Sequence, residues 1–462
     1  MRSPTLLIAA CLAFALAPDA RAASAPATPT PTPTPPSTPG PAAAPRTPPA
    51  PVAPAAARVL SLDEAVQTAL AHQPQLVQAR AAADASRARA DQARAGLLPQ
   101  VNGQAQYQRG TSNTGLNGLA ATLDTRNDWS FSANVSQLVW DFGQTSGRWT
   151  AARRTAEADE ESARENELTT VLNVRTAFFQ ARAAHDLAGV ARATLDNQQA
   201  HLAQTEAFVK IGTRPPIDLA TARTTVANAQ VQVVQTDNNY ATSRARLNQA
   251  MGVDAPVDYD VASESLPEMA DEEASQDALL AEALRNRPDL AAALRRLEAS
   301  DASLSAARGG YGPTLSVGAS ATDVGADAGE LRDRWNVAAG ATLTIPIFEG
   351  FRTRAQVDEA AANVRVASAQ AETLRQQIRV DLENARLTVR AAKASVQAAI
   401  DATTNAREQL RLAEGRYRTG AGNALELSDA QLAATNAEAQ QVNAEYQLAS
   451  ARAQLLAALG RP

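Results

Sequence analysis

The 462-residue chain is poor in the residues that build compact cores and metal centres. Aromatic residues make up 4% of it, and it has one cysteine, Cys11, and three histidines, His72, His185 and His201, far apart. One cysteine excludes an intrachain disulfide, and no Cys/His cluster is spelled out. No metal or other cofactor is therefore expected, and the histidines read as solvated surface residues. Past the amino terminus no run approaches the ~18 apolar residues of a membrane helix, so a membrane-spanning form must use strands. The net charge of −6 has mixed signs, which excludes an electrostatic footprint for nucleic acid. No nucleophile motif, metal spacing or phosphate loop supports an enzyme.

What is present is alanine, leucine, glutamine, glutamate and arginine in long periodic runs. This is the composition of extended helices and coiled coils. Residues 1–22 read as a secretory signal, with Arg2, an apolar run from Leu6 to Ala17, and an Ala20-Arg21-Ala22 cleavage site. Ile8-Ala-Ala-Cys11 loosely resembles a lipoprotein box, but the apolar run continues past Cys11. Residues 23–57 form a Pro/Thr/Ala tract that cannot bury a core and is expected to be an extended spacer. Folding is expected to begin at Ser61, an N-cap with Glu64 three residues on, the spacing of a capping box.

From there the chain repeats itself. Phe208-Val-Lys-Ile-Gly-Thr213 and Arg416-Tyr-Arg-Thr-Gly-Ala421 each close a long helical run, and Gly212 aligns with Gly420 at an offset of 208 residues. The same offset aligns Asp218 with Glu426, Leu219 with Leu427 and Gly252 with Gly460. Upstream, Pro288 and Pro313 echo Pro74 and Pro99. Between them lie stretches of period two. In 129–136 the odd positions are apolar and the even ones small and polar, the signature of a tilted transmembrane strand. The expected organisation is a first repeat over 58–255 with strands at about 101–109 and 129–139, and a linker over 256–275. A second repeat follows over 276–462, with strands at about 314–322 and 335–346.

The strand pairs end in aromatic-acid-glycine turns, Trp140-Asp-Phe-Gly143 and Phe348-Glu-Gly350. Proline-free helical runs then lead to Gly212 and Gly420, each about 100 Å long at 1.5 Å per residue. Ile378, Leu382, Val389, Val396, Thr403, Leu410 and Tyr417 mark a heptad stripe in the second run, and Leu195, Leu202 and Val209 one in the first. Four strands with one apolar and one small-polar face cannot close a barrel alone, so closure calls for further copies of the chain. Tyr107, Trp129, Trp140, Trp335 and Phe348 are the aromatics expected at the membrane interfaces.

The duplicated helix-strand-strand-helix order, the two aromatic-acid-glycine turns and the two glycine-tipped hairpins resemble the TolC-type outer-membrane factors of efflux and type I secretion. That resemblance spans nearly all of the mature chain. It implies a fold in which a long antiparallel α-helical tunnel in the periplasm carries a transmembrane β-barrel, twelve-stranded in a homotrimer. It implies a passive exit channel in outer-membrane lipid, docked to a periplasmic membrane-fusion adaptor and an inner-membrane pump of RND or ABC type. By the same resemblance the adaptor docks at the hairpin turns, here Ile211, Gly212 and Thr213, and Thr419, Gly420 and Ala421. The family's periplasmic gate maps to Asp218, Tyr417, Glu426 and Asp429. An arginine that the resemblance implies two residues past the second glycine is Gly422 in this chain, leaving Arg416 or Arg418 to supply the charge. The rival reading is a periplasmic coiled-coil scaffold or adaptor without a pore, which explains the heptads but leaves the four amphipathic strands unused.

Overall fold

A computed structural model describes residues 58–113, 123–268, 272, 274–325 and 334–462. The signal and spacer expected over 1–57 lie outside the described residues, as do the tips of the two strand connections. The first half begins with a short strand β1 (Arg58–Leu60) and helices α1 (Leu62–His72) and α2 (Pro74–Ala95). Strands β2 (Gln100–Asn113) and β3 (Leu123–Trp140) follow, then the long helix α3 (Gln144–Lys210) and its return α4 (Pro216–Met251). After β4 (Tyr259–Val261) the second half has α5 (Gln276–Asn286), α6 (Pro288–Gly309), β5 (Thr314–Gly325), β6 (Trp335–Thr344), α7 (Arg352–Arg418) and α8 (Ala424–Ala458).

The order of elements is the same in both halves, and so are the lengths of the helices on either side of the strands. Helices of 11 and 22 residues precede the strands, and a helix of 67 residues follows them, in each half. The prolines set the first break: Pro74 and Pro288 each take the first position of a new helix, where a missing N–H costs nothing. Ser61 caps α1 by accepting from the Glu64 amide at 3.2 Å. The reciprocal half of the capping box does not form, because the Glu64 carboxylate pairs with Arg58 instead.

Two apolar clusters hold the rods. In the first, Val174 and Phe178 of α3 meet Ala65 and Ala69 of α1 and Leu247 and Met251 of α4, with Val261 of β4. In the second, Ile378, Leu382 and Val389 of α7 meet Leu279 of α5, Leu290 of α6 and Leu455 of α8. Each such side chain contributes about 1.5–3 kcal/mol on burial. The second heptad stripe is therefore where the spacing puts it. The first is not: Leu195, Leu202 and Val209 are only partly buried, and the buried row is Ala191, Gln198 and Thr205. That row meets the second half, Gln198 at Gln431 of α8 and Thr205 at Tyr417 of α7, and its small and polar side chains give a sequence stripe nothing to show.

The histidines also differ from expectation. His72 is exposed, but His185 lies edge-on to Tyr240 at 5.3 Å and 3.2 Å from Asp186. His201 is partly buried on Tyr417. Around His185, Tyr240 donates to Asp260, and burial pushes the Tyr259 phenol up to about 12. This cluster ties the small parallel β1–β4 pair to the rods.

Candidate functional site

The four larger strands form one antiparallel sheet in the order β2-β3-β5-β6. Their register sorts most side chains by face, with Asp323 falling in the apolar row opposite Phe131 and Trp335. Val101, Ala105 and Tyr107 pair with Val135, Phe131 and Trp129, and the row continues through Ala321 and Ala319 to Val337 and Ala339. The opposite face carries Asn102, Gln104 and Gln106, paired with Asn134, Ser132 and Ser130, and continues through Ser320 and Thr322 to Asn336. Its charges come late, as an Arg126–Asp128 pair at 2.8 Å near the end away from the helices. Both outer edges, β2 and β6, lack a partner strand among the described residues.

The interface aromatics fall on two levels. Tyr107 and Trp129 touch across the β2–β3 pair with ring centres 4.7 Å apart, and Trp335 lies further along the apolar face. Trp140 and Phe348 lie at the helix end of the sheet, 60% and 74% exposed. Two more aromatics belong here that the pattern did not single out. Phe142 and Phe351 sit at φ +52° and +63°, a backbone region costly for a bulky side chain; Phe142 packs tilted against Trp140 and Phe351 edge-on to Phe348, ring centres 5.4 and 5.5 Å apart. The acids of the same turns cap the rods: Asp141 accepts from the Thr145 amide at 2.6 Å, and Glu349 from the Thr353 hydroxyl at 2.7 Å.

At the other end of the rods are the two glycine turns. Gly212 and Gly420 lie at φ +76° and +78°, and a side chain at either would meet open space, so it is the backbone that requires glycine. Thr213 N–H donates to Phe208 O at 3.0 Å and Ala421 N–H to Arg416 O at 2.9 Å, a six-to-one helix ending in both. Ile211, Gly212 and Thr213 are exposed, as are Thr419, Gly420 and Ala421. The entries to the return helices differ. Pro216 starts α4, whereas Asn423 caps α8 by accepting from the Glu426 amide at 2.7 Å.

The four gate candidates are not brought into one network within a single chain. Tyr417 is 1% exposed, inside a small cluster with Leu427 and Ala430. Its hydroxyl lies 3.4 Å from Thr205 Oγ1 rather than on an acid. Glu426 is paired with Arg416 at 2.9 Å, and Arg418 is 3.8 Å from Glu414. Asp218 stands in the first turn of α4 and Asp429 is exposed on α8; neither has an ion-pair partner among the described residues. Burial holds the His201 imidazole below its usual range, with the Asp218 carboxylate acting in the opposite direction. The arginine that reaches Gly422 is Arg214, whose Nη2 donates to Gly422 O at 3.1 Å. Its place was readable, since the repeat offset maps position 214 onto 422.

A duplicated pair of long rods, capped by a half-open sheet with one fatty and one wet face, defines an outer-membrane channel protein. Among the described residues no helix is long and apolar enough to cross a membrane. A family model described as outer membrane efflux protein matches residues 65–253 and again 279–461, and the chain belongs to that family. OpmQ of Pseudomonas putida, a pyoverdine export outer membrane protein, is 29% identical over 386 residues, covering 80% of this chain and 79% of its own. TtgC of the same species, a probable efflux pump outer membrane protein, is 27% identical over 381 residues, covering 80% and 76%. Among solved structures, VceC of Vibrio cholerae superposes with a TM-score of 0.76 at 20% identity, covering 87% of this chain and 96% of that one. The CmeC outer membrane channel of Campylobacter jejuni gives 0.77 at 18%, covering 86% and 85%. The resemblance to TolC-type factors therefore holds. The protein is an outer-membrane exit channel of the tripartite efflux type, with its tunnel in the periplasm, and the family is one of channels, not an enzyme class.

Proposed function

We propose that three copies of this chain close a twelve-stranded barrel, the β6 edge of each pairing with the β2 edge of the next, above a shared helical tunnel. The observation that carries this is the sheet itself. It has two free edges and two unlike faces, and such a sheet is stable only when the edges are paired and the apolar face is covered. Trp129 and Trp140 lie eleven residues apart on one strand; at 3.3 Å per residue and a tilt near 45° that spans about 25 Å, the height of an apolar band in such barrels. Tyr107, Trp129 and Trp335 then mark one interface, and Trp140 and Phe348 the other. The repeats over 58–255 and 276–462, joined by the linker at 256–275, are the two halves of a duplicated unit.

The turns at Ile211–Thr213 and Thr419–Ala421 receive the periplasmic adaptor, and an inner-membrane pump of RND or ABC type supplies the energy. Asp218, Glu426 and Asp429 converge by threefold symmetry at the tunnel end and favour cations there, with Tyr417 packed behind them. Relatives are named for antibiotic and toluene efflux. By analogy with those relatives, its proposed cargo is small organic molecules. The test is single-channel conductance of detergent-extracted protein beside an Asp218→Ala/Glu426→Ala/Asp429→Ala variant. Small cation-selective steps are expected in the natural protein, larger and less selective ones in the variant. Silence from well-folded oligomers of both forms would favour the scaffold reading.

A further inference from the structure

We propose that the tunnel wall of each copy carries a binding site for an organic cation with an apolar body, and that Glu165 is its counter-ion. This rests on the channel reading above and narrows the class of cargo. The site is a pair of adjoining cavities, of about 350 and 330 Å³, that share Glu165 of α3. One lies against α6 and α7, the other against α7 and α8, where the start of α6 meets the end of α8. Leu168 and Leu172 line one cavity and Leu374 the other, with Ala292 and Ala457 leaving room between the helices. Volumes of this size suit a small organic ligand.

The charges there do not balance. Glu165, Asp289 and Asp381 stand at the junction with one guanidinium, that of Arg287. Arg287 is engaged by Asp289 at 2.6 Å and by Asp381 at 3.5 Å. Arg296, on the rim of the first cavity, donates to Ser162 Oγ at 2.8 Å and stands 3.8 Å from Asp159. Glu165 has no ion-pair partner among the described residues; it accepts one long bond, 3.4 Å, from the Thr169 hydroxyl. Burial and the neighbouring Asp289 push its carboxyl up, with Arg287 acting in the opposite direction. A carboxylate short of partners beside apolar walls matches a cation whose organic part also needs cover.

The duplication shows that the fold itself does not require these charges. By the repeat offsets, Arg287 and Asp289 correspond to Gln73 and Gln75, and Glu165 and Asp381 to Thr373 and Asn173. All four counterparts are neutral, yet the first half breaks its helices at the same place. There the Gln73 amide donates to the carbonyls of Gln249 and Ala250 at 3.3 and 2.9 Å. Charge at the second break alone is therefore a feature added to a structure that stands without it.

The cavities also face the right way. Nine residues turn an α-helix through about 900°, so residues nine apart point to opposite sides. Glu165 and Leu172 come nine before Val174 and Ala181, which belong to the cluster that receives α1. Inside a tube α1 would obstruct the passage, so it lies outside and Glu165 faces the lumen.

The test is isothermal titration of the detergent-extracted oligomer with benzyltrimethylammonium, beside benzyl alcohol as an uncharged counterpart. One cation per chain is expected to bind, and benzyl alcohol at least tenfold more weakly. Glu165→Gln should weaken the cation at least tenfold, with Glu165→Asp between, while both variants keep the melting temperature of the natural protein. The Asp218→Ala/Glu426→Ala/Asp429→Ala variant should bind within twofold of it. Undiminished affinity in Glu165→Gln, equal affinity for benzyl alcohol, or loss of binding in the triple variant overturns the proposal. So does the absence of binding to well-folded oligomer. Titration needs no flux, so Glu165-dependent binding in an oligomer that never conducts upholds the cation site and strikes the channel reading alone.

Discussion

The helices near the sheet and the helices near the tips are held together by different chemistry. Close to the sheet, α3 is tied to its neighbours by charge. Arg80 and Arg87 of α2 pair with Glu167 and Glu160 at 2.8 and 2.6 Å, while Arg154 reaches Glu298 of α6 at 3.1 Å. Toward the tips, ion pairs remain inside each hairpin, Arg192 with Asp237 and Arg407 with Glu438. Between the hairpins there are neutral contacts, Thr194 with Thr435 and Gln198 with Gln431. Exposed ion pairs contribute little each but fix register, while buried neutral pairs are costly to half-remove. The sheet end is therefore built to stay in register, and the tip end to keep its few partners or lose them together.

The contrast can be broken most severely at the sheet end. Gly147 of α3 sits so close to α6 that a Cβ would lie 2.8 Å from Ala306 Cβ and 3.0 Å from its Cα. Gly147→Val is expected to cost about 3 kcal/mol in denaturant unfolding, because backbone has to move. A neutral result would mean that the two helices are not held at this spacing. At the tip end, Gln198→Ala should cost about 2 kcal/mol by stranding the Gln431 amide, whereas Gln198→Leu/Gln431→Leu should come within about 1 kcal/mol of the natural protein. Equal losses in both variants would show that packing, not hydrogen bonding, holds the seam.

Smaller effects sharpen the comparison. Arg80→Ala should cost less than about 1 kcal/mol and lose even that in ~1 M salt, as a half-exposed pair does. A salt-independent loss would contradict the charge-ladder description. The smallest is a pH slope. Burial lowers the His201 pKa in the folded state, so below about 6.5 the unfolded chain binds more protons and stability falls as pH falls. The slope should be absent in His201→Gln, read as melting temperature against pH; an identical slope in both proteins assigns it to other groups.

Much of this was legible in the sequence because it was written twice. Pro74 and Pro288, and Gly212 and Gly420, fix breaks and turns by backbone chemistry, which reads locally. The strands read because period-two alternation is local as well, although β3 extends six residues earlier than its pattern, to Leu123. The α3–α8 seam did not read, since alanine on every side of a helix leaves no stripe to choose between. Leu195 and Leu202 looked like the buried row; Gln198 and Thr205 are. The burial of His201 depends on Tyr417, more than two hundred residues away, and no window of sequence contains both. Arg214 is the intermediate case. The repeat gave its equivalence to 422, but only the fold shows it turned across the seam.

The two long helices have the same number of residues, 67 each. Each residue added to one would lift its tip by about 1.5 Å and swing it by about 100° relative to the other. The pair thus works like the two legs of a trestle, where neither can be lengthened alone without tilting what stands on them. An insertion in one rod would be tolerated only with a compensating insertion in its twin. The strands at the far end are free of that coupling, and it is there that the two halves differ in length, 14 and 18 residues in the first against 12 and 10 in the second.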